Sequence, residues 1–423
     1  MNETYDALVI GGGPSGSTAA AILAEKGHQV CLIEKEKFPR YHIGESLMPY
    51  CYHTLNRLGL VEKIHQSDSP KKFSVQFAKQ DGSISHPFYF FQHQDQPSST
   101  TWQVWRSEFD AMIMEKARES GATIFEETKA HSLIKEGERV VGLKVVNKDK
   151  SERTIGSKIV IDASGRDNFS AVRERWTERD PMLKKVAIWT YFKGAKLDPG
   201  LDAGATTVAY LDGKGWFWYI PLSGGKVSVG IVAERDYLFN GSTKELHEIF
   251  KRETRNNKWI ENHLEGAQVA DIYRVTGEYS YRNRYSSTDG LVLAGDALGF
   301  LDPVFSTGVF LALRSGELVA DTADIALQRG EVTATDFVEY GRSMKHIIET
   351  MRKIVYAFYD QDFSFRLLIG DNPKMQRDLT DCLIGNVESK EFEDLFKAMG
   401  ELADLPSPVP HGVSIADEER AIA

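Results

Sequence analysis

An acid set just behind an apolar strand is well placed to hold hydroxyl groups, and Asp296 has that setting. It follows a strand pattern over residues 291–294 and a chain-breaking Gly295. Asp302-Pro303 then turns the chain, and Ser306-Thr307-Gly308 precedes an apolar helical pattern over 309–320. Amides in the first turn of a helix have no intrahelical partner and sit at its positive end. They suit an anion or the edge of an electron-rich ring. Taken alone, this stretch is a strand–turn–helix with an N-cap.

The N-terminus changes that weighting. Gly11-Gly12-Gly13-Pro14-Ser15-Gly16 stands between an apolar strand over 5–10 and a helix over 17–26, which Gly27 ends. A second strand over 29–33 follows, with Glu34 at its end. Gly11 permits the tight turn, Gly13 lets the backbone approach a pyrophosphate, and Gly16 lets helix and strand pack closely. Ser15 lies in the same turn and is counted among the cofactor contacts. Glu34 comes eighteen positions after Gly16, where an acid can bind ribose hydroxyls. The frame therefore predicts a dinucleotide site.

These groups need elements to hold them. Residues 37–49 carry two prolines, Gly44 and several polar groups, so they form a loop before a helix near Pro49. Because that loop directly follows the ribose-side strand, cofactor contact by Gly44-Glu45-Ser46 is preferred to a surface ion pair between Arg40 and Glu45. Residues 50–65 have helical spacing, residues 73–77 alternate as a strand, and Asp81-Gly82 makes a hairpin turn with a second arm over 83–90. Residues 103–110 lead into a helix that runs to about Ser120, and strands follow over 122–126, 132–135, 140–147 and near 160. The segment 185–233 is rich in strands. Within it Trp216 and Trp218 alternate onto one strand face. Long helical stretches cover 309–327 and 337–358, and residues 406–423 are read as a flexible tail.

A chain of 423 residues is long for one core and predicts two joined domains. The net charge of −10 argues against a nucleic-acid partner and gives no pull toward anionic lipid. Cys31, Cys51 and Cys382 are too few and too scattered for a disulfide framework or a metal site. The N-terminus has no basic signal region, and the apolar runs are too short for a membrane span. A cytoplasmic location is expected.

Gly295-Asp296-Ala297, Asp302-Pro303 and Gly308 together resemble the second flavin-contacting motif of hydroxybenzoate-hydroxylase-type FAD monooxygenases. The string 302–309, Asp-Pro-Val-Phe-Ser-Thr-Gly-Val, is most similar to flavin-dependent halogenases, as are Phe38-Pro-Arg-Tyr-His-Ile-Gly-Glu-Ser46 and Trp216-x-Trp218-x-Ile220-Pro221. The last string is also similar to one in geranylgeranyl-reductase-like flavoproteins. The resemblance implies FAD contacts at Asp296, Pro303, Gly308, Arg106 and the 44–46 loop. It implies a halide at the amides of Thr307 and Gly308, and a wall of Trp216, Trp218 and Phe305 beside the flavin. It also gives weight to Lys72, otherwise an ordinary lysine before a strand: in halogenases a lysine here projects toward a tunnel from the flavin. Lys71 is the alternative. Tryptophan halogenases carry a glutamate where this chain has Phe305, so the resemblance is to the non-tryptophan group.

The expected fold is a two-domain α/β flavoprotein. A Rossmann-like FAD-binding domain is drawn from 1–70, 100–175 and 275–330, a mixed-sheet substrate domain from 71–99 and 176–274, and a helical C-terminal region from 331–423. The resemblance implies an enzyme that uses reduced FAD from a separate flavin reductase, O₂, and chloride or bromide. Its substrate would be an electron-rich aromatic ring, free or tethered to a carrier protein. A hydroxylase and a double-bond reductase stay open as alternatives.

Overall fold

The computed structural model describes residues 3–92, 96–211, 213, 215–241, 243–277, 280–388 and 390–417. Two sheets organise it. The first has nine strands. Its centre is parallel: Leu291–Leu293, Glu152–Asp162, Glu3–Ile10, Val30–Ile33 and Thr123–Phe125 lie side by side in that order. The central strands are near-continuous apolar runs, as expected of strands buried on both faces. Ala7, Leu8 and Val9 have no exposure. The hairpin of Thr128–Glu136 and Arg139–Asn147 extends this sheet in antiparallel fashion.

The second sheet has eight strands and packs its two faces differently. Gly215–Leu222 lies between Lys226–Glu234 and Thr206–Leu211, and Lys185–Lys193 flanks them. The side-chain period of two sorts the residues. Phe217 and Tyr219 enter a core with Phe250, Trp259 and Ile260 from two short helices. Trp216, Trp218 and Ile220 point to the opposite face and join the main core.

The helix Pro14–Glu25 lies against the long helix Thr307–Arg329. A Cβ placed on Gly316 would come 2.4 Å from the Ser15 carbonyl oxygen. Gly330, with φ +94°, ends the long helix by donating its N–H to the carbonyls of Ala326 and Leu327. The helix Val338–Tyr359 follows a short 3₁₀ turn, Ala334–Phe337.

Three sequence expectations differ from the structure. The helical pattern over 50–65 is two helices, Cys51–Arg57 and Val61–His65, because the chain turns at Gly59 with φ +70°. The hairpin arm expected over 83–90 is reduced to a bridge between Ala78 and Ile84 and the short strand Phe88–Tyr89. The tail is ordered in part: Val413–Ser414 forms a strand parallel to Tyr285–Thr288. There the Ser414 hydroxyl is buried and donates 2.6 Å to the Ala334 carbonyl. The polar composition of 406–417 hid a two-residue pairing too short to leave a pattern. Residues 418–423 of the expected tail lie outside the described residues.

Candidate active site

A cleft of about 750 Å³ opens between the strand ends of the first sheet and the tryptophan-bearing face of the second. The glycine turn forms one end. Gly11 has φ +99°, and a Cβ there would sit 2.5 Å from the Ala163 carbonyl oxygen, so the turn requires glycine. A Cβ on Gly16 would lie 2.0 Å from the Gly11 oxygen. Gly13 differs: a Cβ would meet only Arg40 Nη2, at 3.6 Å, because this residue faces the cleft. Glu34 braces the turn. Its Oε2 accepts the Gly12 N–H at 2.7 Å and its Oε1 accepts the Glu36 N–H at 2.8 Å. Ser15 lines the cleft, and its hydroxyl lies 3.3 Å from that of Ser315.

The 44–46 loop crosses the cleft and is clamped by Arg106. Arg106 grips Asp110 through two bonds of 2.7 and 3.0 Å. Its Nη1 donates to the carbonyls of Ile43 at 2.8 Å and Gly44 at 3.3 Å. Arg40 lies 3.1 Å from the same Asp110 carboxylate and makes no ion pair with Glu45. Gly44, Glu45, Ser46 and Arg106 all line the cleft. Glu45 is buried, accepts a 2.6 Å bond from the Tyr191 hydroxyl, and its carboxyl is pushed up to about 7 by that burial.

The stretch around residue 300 closes the other end. Asp296 lines the cleft, and burial pushes its carboxyl up to about 6 against the pull of Arg106 and Arg166. Pro303, Ser306 and Gly308 line it too. Ser306 takes the left-handed conformation, φ +59°, and starts the long helix at Thr307. A Cβ on Gly308 would meet nothing within 4 Å. Thr307 is fully buried, and its hydroxyl has no hydrogen-bond partner among the described residues. Asp162 is structural: its oxygens accept the N–H groups of Ser164 and Ser170.

Trp216 and Trp218 both line the cleft, with ring centroids 6.1 Å apart. Trp216 Nε1 donates to the Tyr359 hydroxyl at 2.8 Å, and that hydroxyl donates to Asp302 Oδ2 at 2.8 Å. The end of the helix Val338–Tyr359 thereby fastens the wall to the Asp-Pro turn. Phe305, expected in this wall, is not among the cleft-lining residues. Its ring packs edge-on against Phe358 at 5.7 Å and Phe365 at 6.1 Å.

Lys72 and Lys71 alternate sides of a short strand paired with Thr101–Trp102; Lys71 is exposed and Lys72 is 2 % exposed. Lys72 Nζ donates to Ser46 Oγ at 2.9 Å and to the Leu47 carbonyl at 3.2 Å. Burial pulls its ammonium down to about 7. Lys72 does not line the cleft itself. Ser46 does, and its hydroxyl meets that of Thr206, another lining residue, at 2.8 Å.

Sequence reading missed Tyr41, Trp189, Tyr191 and Gly230. The alternation of 186–192 held a signal, since Trp189 and Tyr191 share the face that Trp218 shares. Gly230 pairs with both Trp189 and Trp218, and a Cβ there would lie 2.2 Å from the Trp218 ring. Its missing side chain makes the space that Trp218 fills.

The cleft suits FAD. It has the volume of a cofactor site, a helix N-terminus opened by Gly13, four lining arginines (Arg40, Arg106, Arg166 and Arg274), and an unobstructed helix start at Gly308. The fold and this site define an FAD-binding flavoprotein. Residues 4–320 match the family model described as an FAD binding domain. A 1H-pyrrole-2-carbonyl-(peptidyl-carrier protein) chlorinase of Pseudomonas fluorescens is 29% identical over 97% of this chain and 96% of its own length. The corresponding brominase of Pseudoalteromonas luteoviolacea is 32% identical over 80% and 81%. The structure of the flavin-dependent brominase Bmp2 superposes with a TM-score of 0.86 at 26% identity, covering 99% of this chain and 100% of that one. The chain belongs to the flavin-dependent halogenases and is an FAD-dependent oxidoreductase. No helix among the described residues is long and apolar enough to cross a membrane.

Proposed function

We propose that this enzyme transfers chlorine or bromine to an electron-rich aromatic ring, free or carried on a carrier protein, with reduced FAD delivered by a separate flavin reductase in the cytoplasm. The two carrier-protein pyrrole halogenases among the relatives support the substrate class. The observation that carries the reading is Lys72: a buried lysine whose ammonium lies 2.9 Å from a hydroxyl of the cleft wall.

The residues present divide the work. Gly11, Gly13, Ser15 and Gly16 would seat the pyrophosphate at the helix start, and Glu34 would hold the ribose side of the dinucleotide. Gly44, Glu45, Ser46 and Arg106 would border the ring system, with Asp296, Pro303 and Gly308 along the opposite end. When bound and reduced, FAD would supply the two electrons that bring O₂ to the peroxide level, at which oxygen can oxidise halide. The amides of Thr307 and Gly308 would hold that halide. Trp216 and Trp218 keep bulky organic substrate away from the flavin, leaving a small hypohalous acid as the species that can pass Ser46. Lys72 receives it. As an ammonium it donates a hydrogen bond that holds the acid; as a neutral amine it accepts the halogen on nitrogen. An ammonium pulled down to about 7 gives access to both forms near neutral pH.

Lys72→Ala should keep FAD binding and the oxidation of bound reduced flavin by O₂. Halogenated product should fall at least about 100-fold, the low end for loss of a catalytic group. Lys71→Ala, at an exposed position, should change little. Product mass spectrometry with bromide and a panel of phenols, indoles and pyrroles reads this directly. Full halogenation by Lys72→Ala would overturn the role given to this lysine.

A further inference from the structure

Any reaction of a reduced flavin anion with O₂ needs protons. Without halide, reduced flavin anion, O₂ and one proton give oxidised flavin and hydrogen peroxide. With halogen transfer, reduced flavin anion, O₂, halide, an aromatic C–H and two protons give oxidised flavin, a carbon–halogen bond and two waters. A flavin bound in the cleft would cover its floor, so a path for protons along the wall would have a use.

The wall contains one. Glu45 is 1 % exposed and lines the cleft, and its main-chain carbonyl accepts the Val104 N–H at 2.8 Å. The Tyr191 hydroxyl donates 2.6 Å to Glu45 Oε1. Tyr191 is 1 % exposed, and its oxygen lies 3.1 Å from the hydroxyl of Tyr41, which also lines the cleft and is 43 % exposed. Trp189 Nε1 donates to the Tyr41 oxygen at 2.7 Å. A hydroxyl has one proton to give. Tyr191 stands as donor to both Glu45 and Tyr41; with its proton on the shorter bond to Glu45, its oxygen can take the Tyr41 proton once the Tyr41 hydroxyl turns toward it. Tyr41 takes the indole N–H on its oxygen and has its proton free for Tyr191. A turn of the Tyr41 hydroxyl therefore lines the three groups up for proton passage from the exposed Tyr41 to Glu45.

We propose that Glu45, Tyr191 and Tyr41 form a proton relay that delivers solvent protons to the flavin-side floor of the cleft. Glu45 releases its carboxyl proton to the oxygen being reduced. As it does so, the Tyr191 proton moves to the carboxylate, the Tyr41 proton moves to Tyr191, and Tyr41 takes a proton from water. Each O–H bond broken is matched by one formed one step nearer the floor. Besides Tyr191, the groups facing Glu45 are Ser228 from the sheet, Arg106 from its helix and Arg274 from the edge strand. Burial outweighs both arginines, so the carboxyl holds its proton up to about pH 7. The first proton rests on no halogenase reading, and only the second does.

The test uses full-length protein loaded with FAD. In the resting enzyme, infrared difference spectra should show a carboxylic acid C=O band that titrates near pH 7. The band should be absent in Glu45→Gln. In Tyr191→Phe its midpoint should move upward, because the carboxylate loses a donor. Stopped-flow oxidation of bound reduced FAD by O₂ without halide should slow as pH rises through the same midpoint. Glu45→Gln should slow it about 100-fold with the pH limb gone, and Tyr191→Phe and Tyr41→Phe about 10-fold above that midpoint. A merely structural carboxyl would leave both hydroxyl variants with the parent pH profile. That result, or the lack of a titrating band, overturns the relay. Loss of halogenation alone, with this profile intact, counts against the substrate reading and leaves the relay standing.

Discussion

A lone ammonium costs free energy when it is buried without an opposite charge, and no carboxylate pairs with Lys72 among the described residues. Its folded-state value near 7 lies below the unfolded value near 10.5. Between those values the unfolded chain binds more protons, so this group's contribution to stability rises with pH across the window. Its destabilising effect is complete below pH 7. Lys72→Met should therefore be more stable than the parent by about 1 to 4 kcal/mol at pH 6, as found when buried charges yield to apolar groups of similar size. The difference should fade toward pH 10.5. Denaturant titrations at several pH values read the trend, and a constant or reversed difference would show that Lys72 is solvated. A residue kept at such a cost has a use beyond packing. In the sequence only the resemblance to halogenases set Lys72 ahead of Lys71. Its seat behind Ser46 was not legible there, because Ser46 reaches it from a loop twenty-six positions away.

The strand Gly215–Leu222 shows how an element can be read correctly and its support missed. Two tryptophans two positions apart announce a shared face. What lets the Trp218 ring lie on that face is Gly230, on the next strand, and a single glycine among strand residues gives no signal without the register. Gly230→Ala would push a methyl group to within 2.2 Å of the ring. We expect a loss of about 1 to 3 kcal/mol, the range for an overfilled core, together with weakened FAD retention as Trp218 tilts into the cleft. Thermal melts and flavin release measure the two effects, and an alanine variant that keeps both at parent values would mean the sheet yields there. The Trp216–Tyr359–Asp302 chain is a similar case. Trp216 and Asp302 were in view in the sequence, but their meeting through Tyr359 depends on where the helix Val338–Tyr359 ends.

At the scale of the molecule, the dinucleotide frame was legible because it is local. Its glycines, strands and terminal acid all fall within the first 34 residues. The second sheet announced its strands but not their order, which pairs Thr206–Leu211 in parallel with Ser74–Ala78 across more than a hundred residues. The tail was misread for the opposite reason: Val413–Ser414 is too short to carry a period and is held by partners far upstream. The gathering of Trp189, Trp216 and Trp218 around one cleft has an optical consequence. Three of the chain's seven tryptophans emit light at wavelengths that an oxidised flavin absorbs, at a separation where energy passes between rings with high efficiency. The flavin-free protein should therefore glow brightly under ultraviolet excitation and dim in proportion to FAD added. Trp216→Phe and Trp218→Phe should each remove part of the quenchable signal. An emission spectrum unchanged by saturating FAD would place the flavin elsewhere, and a graded one would turn the cleft wall into its own titration dye.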